Sequence, residues 1–196
     1  MPHATRMSPA DTALLIVDVQ VKLVPAIPAH QSLIRNLAFL IDAARLLKLP
    51  VHATEQYPKG LGPTVPELAE RLPERAAKVA FSCCAVPAIV EQFQTDARPK
   101  IVIAGMETHV CILQTVLDLL MLDFHVYIPI DAVASRFTLD HETALQRMEQ
   151  AGAILTTCEA AAFEWVGSSM APEFKEFSRM IQERMKTVGA RITGSP

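Results

Sequence analysis

The sequence predicts an α/β protein: a three-layer α/β/α sandwich built on a six-stranded parallel sheet. Three observations predict it. Short continuous apolar runs with β-branched residues recur along the chain, as strands buried on both faces require. Between them lie stretches with apolar residues every three and four positions, the period of amphipathic helices. The chain has 196 residues, 51% of them hydrophobic. That is enough for a single domain over 1–196 with a substantial core, and too apolar for a disordered chain.

The elements follow in order. Ala13–Asp18 is a continuous apolar strand closed by a carboxylate. Leu33, Ile34, Leu37, Leu40, Ile41, Ala44 and Leu47 give a helix over about 31–48, stopped by Pro50. Val51–Thr54 is the second strand, and 55–66, with three prolines and two glycines, is a loop. Lys78–Phe81 is a short third strand and 86–94 a short helix. Lys100–Gly105 is a fourth strand that runs directly into a helix over about 108–122. His125–Asp131 is a strand, 140–151 a helix ended by Gly152, Ala153–Leu155 the sixth strand and 158–166 a helix. Phe174, Phe177, Ile181 and Met185 lay an apolar stripe along a terminal helix of about 173–186. That stripe either docks on its own chain or joins a homo-oligomer. Strands alternating with helices call for a parallel sheet covered on both faces.

Charge and cysteine usage narrow the function. Lys and Arg number 18 against 21 Asp and Glu, a formal charge of −3, so no basic field points to nucleic acid. No apolar run approaches the length of a membrane span, and 1–11 lacks the apolar core of a secretory signal. Cys83, Cys84, Cys111 and Cys158 form no C-x-x-C pair. They read as reduced thiols in a cytoplasmic setting.

In open parallel sheets, ligands bind beyond the carboxyl ends of the strands, so chemistry is sought there. Asp18 ends the first strand, as a turn residue or as a functional carboxylate that needs a partner. The segment Gly105-Met106-Glu107-Thr108-His109-Val110-Cys111 joins the fourth strand to its helix. With Thr108 as N-cap, Cys111 falls in the first helical turn, where backbone N–H groups lower a thiol pKa. This position favours a functional thiol over an inert one. His109, two residues from Cys111, does not face it on a helix and reads as pocket wall or surface. Glu107 suits a helix N-terminus structurally. Lys78 stands in an apolar strand, either at a sheet edge or paired with a buried carboxylate; with Asp18 and Cys111 available, pairing is preferred. Cys83, Cys84 and Cys158 read as packing. No G-x-S-x-G, G-x-x-x-x-G-K, H-E-x-x-H or G-x-G-x-x-G motif is present.

The chain resembles the isochorismatase-like cysteine hydrolase superfamily, over about 12–186. The resemblance rests on L-L-I-V-D-V-Q (14–20), T-E-Q-Y-P-K-G-L-G (54–62), K-V-A-F-S (78–82) and G-M-E-T-H-V-C-I-L-Q-T (105–115). The second and fourth segments are most similar to the isochorismatase-domain-containing subgroup. The resemblance implies a Rossmann-like sheet, a catalytic triad of Asp18, Lys78 and Cys111, and a non-proline cis peptide between Met106 and Glu107. It also implies an oxyanion hole from the Glu107 and Cys111 backbone N–H groups.

Two departures refine it. Nicotinamidases of the superfamily carry a D-x-H metal motif after the second strand; here Gln56 and Pro58 stand at those positions. Proline has no donor atom and a carboxamide is a poor zinc ligand, so no metal and no cofactor are expected. Isochorismatases proper lack the nucleophilic cysteine and cleave a vinyl ether, a reaction that Cys111 argues against. The expectation is therefore a metal-independent cysteine hydrolase of a small amide or related acyl compound, acting through a Cys111 thioester. Gln20, Tyr57, Phe81 and His109 are its candidate pocket walls, and the 55–66 loop is a cover for the site or an ordinary connection. The partners expected are a small-molecule substrate and further copies of the chain, at least a dimer, with no nucleic acid and no membrane. The rival class is a thiol-redox or interaction module that keeps the fold without the activity.

Overall fold

The computed structural model, which describes residues 3–192, has seven strands and eight helices, one strand more than the six that the sequence pattern predicts. They are β1 Thr12–Val17, α1 His30–Leu46, β2 Val51–Gln56, α2 Pro58–Leu61, α3 Pro66–Ala69, β3 Ala76–Lys78, α4 Pro87–Thr95 and β4 Lys100–Met106. There follow α5 Leu113–Met121, β5 His125–Pro129, β6 Val133–Ala134, α6 Thr138–Gln150, β7 Ile154–Thr156, α7 Cys158–Val166 and α8 Phe174–Ile192. The sheet order is β3-β2-β1-β4-β5-β7, with β6 paired to the end of β4, and every pairing is parallel.

Strand alternation divides the core. Leu14 and Ile16 of β1, with Val102 and Ala104 of β4, pack under α1, α7 and α8. Ala13, Leu15 and Val17, with Ile101 and Ile103, pack under α4, α5 and α6. Both central strands are buried on both faces, so their sequences read as unbroken apolar runs. The α8 stripe docks on its own chain. Phe177 is fully buried and meets Phe163 edge-on at 4.9 Å, and the Arg184 guanidinium lies 4.7 Å from the Phe39 ring centre. Met185, at the end of that stripe, stays exposed.

Chain order reverses between β1 and β4, which makes that boundary the switch point of the sheet. The backbones nearly touch there. Gly105 pairs with Val17 and has φ +122°, and a Cβ on it would meet the Val17 carbonyl oxygen at 2.2 Å. Only glycine fits.

Three element boundaries differ from the sequence pattern. The third strand stops at Lys78, because the following turn curls around that side chain: Lys78 Nζ donates to the Phe81 carbonyl at 2.9 Å. The strand after α5 ends at Pro129, then a short 3₁₀ turn leads into the two-residue β6, too short to leave a periodic trace. The loop over 55–66 carries the tail of β2 and the one-turn helix α2, and α3 starts at its last residue; a proline begins both helices.

Candidate active site

Two strand ends meet at the switch point. Asp18 follows β1 directly, with φ +54°, a left-handed conformation that Asp tolerates better than most residues. Its side chain is fully buried. Lys78, at the end of β3, reaches across β2 to place Nζ 2.6 Å from Asp18 Oδ2. The same ammonium donates to Gln56 Oε1 at 2.7 Å and to the Phe81 carbonyl at 2.9 Å. Its three protons are thereby committed. Thr54 Oγ1 donates to Asp18 Oδ1 at 2.8 Å, so both carboxylate oxygens are engaged.

Cys111 completes the cluster from the β4 side. The peptide bond between Met106 and Glu107 is cis. Thr108–Ile112 then form one π turn before α5 begins, and the Ile112 N–H reaches the Glu107 carbonyl at 3.2 Å. Thr108 is not the cap; its hydroxyl pairs with His141 Nδ1 at 2.9 Å, and Glu107 occupies the N-cap position, where its side chain makes no capping hydrogen bond to the turn.

Cys111 is buried, with 5% of the residue exposed. Burial first, and then the Asp18 charge, push its pKa up to about 12, against the lowering influence of Lys78. The expected lowered pKa is thus corrected. Desolvation of the thiolate outweighs the helix terminus and the cation, and the resting thiol keeps its proton beside a carboxylate that can accept it.

The other expected site residues fall in different places. The Glu107 carboxylate is turned to the 135–137 segment, where it accepts from Arg136 Nε at 3.0 Å and from its backbone N–H at 3.2 Å. His109 is half-buried, with Nδ1 2.9 Å from Ser135 Oγ. Tyr57 and Phe81 are half-exposed at the end of the sheet near Lys78. Gln20, expected as a pocket wall, holds backbone in place. It is fully buried, and its carboxamide braces the chain through the Gln56 N–H at 2.8 Å, the Gln56 carbonyl at 3.0 Å and the Gly62 carbonyl at 2.6 Å.

Gln56 was notable in the sequence only for the metal ligand it is not. Its Nε2 donates to the Val79 carbonyl at 2.7 Å, which turns Oε1 toward Lys78 and leaves no group free to ligate. Among the described residues, no group of three or more His, Cys, Asp or Glu side chains could hold a metal ion, and no helix is long and apolar enough to cross a membrane. Sequence reasoning missed Thr54 and Cys83. Cys83 Sγ lies 3.7 Å from Thr54 Oγ1, and its thiol is influenced by both Asp18 and Lys78. Thr54 sits near the carboxyl end of β2, so the rule that pointed to Asp18 and Cys111 pointed there too.

Comparison with known proteins locates this arrangement. The family model described as Isochorismatase domain matches residues 12–160. Isochorismatase domain-containing protein 2 of Homo sapiens is 40% identical over 185 residues, 93% of this chain and 88% of its own length. Among solved structures, the MAR1 ribonuclease of Caenorhabditis elegans superposes with a TM-score of 0.85 at 42% identity, covering 91% of this chain and 93% of its own. The YcaC gene product of Escherichia coli, described as an octameric hydrolase of unknown specificity, superposes at 0.84 with 26% identity, covering 98% of this chain and 99% of its own.

Proposed function

The chain belongs to the isochorismatase family, and from that premise we propose that it is a metal-independent cysteine hydrolase of a small amide or related acyl compound. The observation that carries the reading is the buried cluster in which a protonated thiol, a carboxylate and a lysine meet at the sheet's switch point.

The chemistry follows from the proton inventory. Asp18 takes the Cys111 proton as Sγ bonds to the substrate carbonyl carbon. The carbonyl electron pair moves onto oxygen, where the Glu107 and Cys111 backbone N–H groups receive it. One such donor contributes about 2.7–4 kcal/mol to a transition state in measured cases. Collapse of the tetrahedral species breaks the C–N bond, and Asp18 returns the proton to the departing amine. Water then gives a proton to Asp18 and attacks the thioester; the acid leaves and Cys111 recovers its proton. Lys78 has no proton to lend, since all three face fixed acceptors. Its role is a stationary positive charge 2.6 Å from the Asp18 carboxylate, in a pair buried on both sides. A thiol pKa raised to about 12 suits this sequence, because the nucleophile forms only when the proton has somewhere to go.

The proposed working state is a homo-oligomer, supported by the octameric YcaC neighbour and by exposed Val79, Phe137 and Leu139. Sedimentation at micromolar concentration tests this; a lone monomer contradicts it. The proposed compartment is the cytoplasm, where the four free cysteines stay reduced.

The direct test is ammonia release from a library of primary amides, native protein against Cys111→Ala. Turnover lost in the variant supports the reading; no turnover of any amide, or turnover that survives, opposes it. The name of the C. elegans structure favours a second reading, RNA hydrolysis. Phosphodiester cleavage needs no thioester, so RNA cleavage undiminished in Cys111→Ala would replace the first reading with the second.

A further inference from the structure

Thr54 holds Asp18 at both ends. Its carbonyl accepts the Asp18 N–H at 3.2 Å, and its hydroxyl donates to Asp18 Oδ1 at 2.8 Å. Thr54 is 1% exposed, so neither bond competes with solvent. A carboxylate only accepts hydrogen bonds. The single hydroxyl proton is therefore committed to Asp18, and the oxygen lone pairs are left for Cys83 Sγ, 3.7 Å away. Burial raises the Cys83 pKa and keeps that thiol protonated, so it can serve as donor. The order is fixed: Cys83 S–H to Thr54 Oγ, then Thr54 O–H to Asp18 Oδ1.

The far end of this chain is anchored as well. The Cys83 N–H donates to Thr115 Oγ1 at 2.9 Å, and the same hydroxyl donates to the Cys111 carbonyl at 2.6 Å. A buried polar path thus runs from Asp18 through Thr54, Cys83 and Thr115 back to the backbone of Cys111. Lys78 grips only Oδ2. A carboxylate held by one oxygen turns about its Cα–Cβ–Cγ bonds; held by both, it presents a fixed edge to the thiol.

We infer that Thr54 is a positioning residue: its hydroxyl sets the orientation in which Asp18 takes the proton of Cys111. The inference rests on the reading of Asp18 as base, and it goes beyond the Asp-Lys-Cys set by assigning a role to a residue of β2.

Iodoacetamide, a small primary amide with an alkylating carbon, is the probe. The rate of Cys111 alkylation at neutral pH is followed by peptide mass mapping, with Cys84 as internal reference in the same digest. Two pairs isolate the hydroxyl: native Thr against Thr54→Val, and Thr54→Ser against Thr54→Ala. Within each pair the shape is nearly constant and only the hydroxyl changes. Loss of the hydroxyl is expected to slow Cys111 alkylation about tenfold or more in both pairs, the effect of removing a hydrogen bond to a charged group, while Thr54→Ser stays close to the native rate. If Thr54→Val does not fold, the Ser and Ala pair carries the test. A purely packing role predicts the reverse ranking, with Val near native and Ser slow, and that ranking overturns the inference, as does equal reactivity within both pairs. Asp18→Asn separates the two claims. Native reactivity in Asp18→Asn defeats the base itself, whereas a slow Asp18→Asn beside a fast Thr54→Val defeats only the role of Thr54.

Discussion

At the scale of single residues, the ion pair of Lys78 and Asp18 dominates. Their side chains are 1% and 0% exposed and stand 2.6 Å apart. Each charge is tolerated there only because of the other. Lys78→Met removes the cation and leaves a buried carboxylate unpaired, which is expected to cost about 3–5 kcal/mol. Adding Asp18→Asn should recover much of the loss. Urea denaturation midpoints of the two single variants and the double variant check both, and a double variant no more stable than Lys78→Met contradicts the pairing energetics. The sequence already shows these two residues and Cys111, because each stands at a strand end or interrupts an apolar run. Thr54 also stands at the expected end of a strand, but, like Cys83, it carries no charge that would single it out there from a core position. A threonine hydroxyl and a buried thiol become meaningful only once folding brings Asp18 alongside. The raised thiol pKa at Cys111 is equally invisible in sequence, since spacing reveals the helix terminus but not the depth of burial.

At the scale of elements, strand periodicity carries the central sheet and short-range turn chemistry blurs its edges. Thr12–Val17 and Lys100–Met106 are legible because burial on both faces demands unbroken apolar runs. Val133–Ala134 is not, because two residues have no period. Nor does the sequence announce a π turn over Thr108–Ile112, since one extra residue per turn does not disturb the apolar face of α5. At the junction of β1 with β4 the two backbones approach closely at Gly105 and Val17. Gly105→Ala places a Cβ 2.2 Å from the Val17 carbonyl at a φ of +122°. It is expected to lower stability by at least about 2–3 kcal/mol. The same change should disturb the Cys111 turn, because β4 enters that turn one residue after Met106. Chemical denaturation of the variant reads the first effect, and a change below 1 kcal/mol, well under the about 2–3 kcal/mol expected, contradicts the close approach.

At the scale of the whole molecule, the four thiols act together on stability. Burial raises the pKa of Cys83 and Cys158, and carries Cys84 up to about 11 and Cys111 up to about 12. An acid whose folded pKa is raised binds its proton more tightly in the folded state. The unfolded chain releases these protons first, from about pH 9, so stability is full below that pH and falls as pH rises through about 11 to 12. Thermal melts between pH 8 and 10.5 should show a falling midpoint, with a shallower fall in Cys84→Ala plus Cys158→Ala. The assembled site acts as a whole too, since Asp18, Lys78 and Cys111 come from three separate strand ends and no isolated segment holds them. The central claim is that Cys111 becomes acylated during turnover. The most direct measurement is an acid quench of the native protein during steady release of ammonia from its best amide, followed by peptide mass mapping. The account predicts the mass of the substrate's acyl group on the peptide that contains Cys111. Steady turnover with that peptide unmodified, and the same turnover in Cys111→Ala, would contradict it.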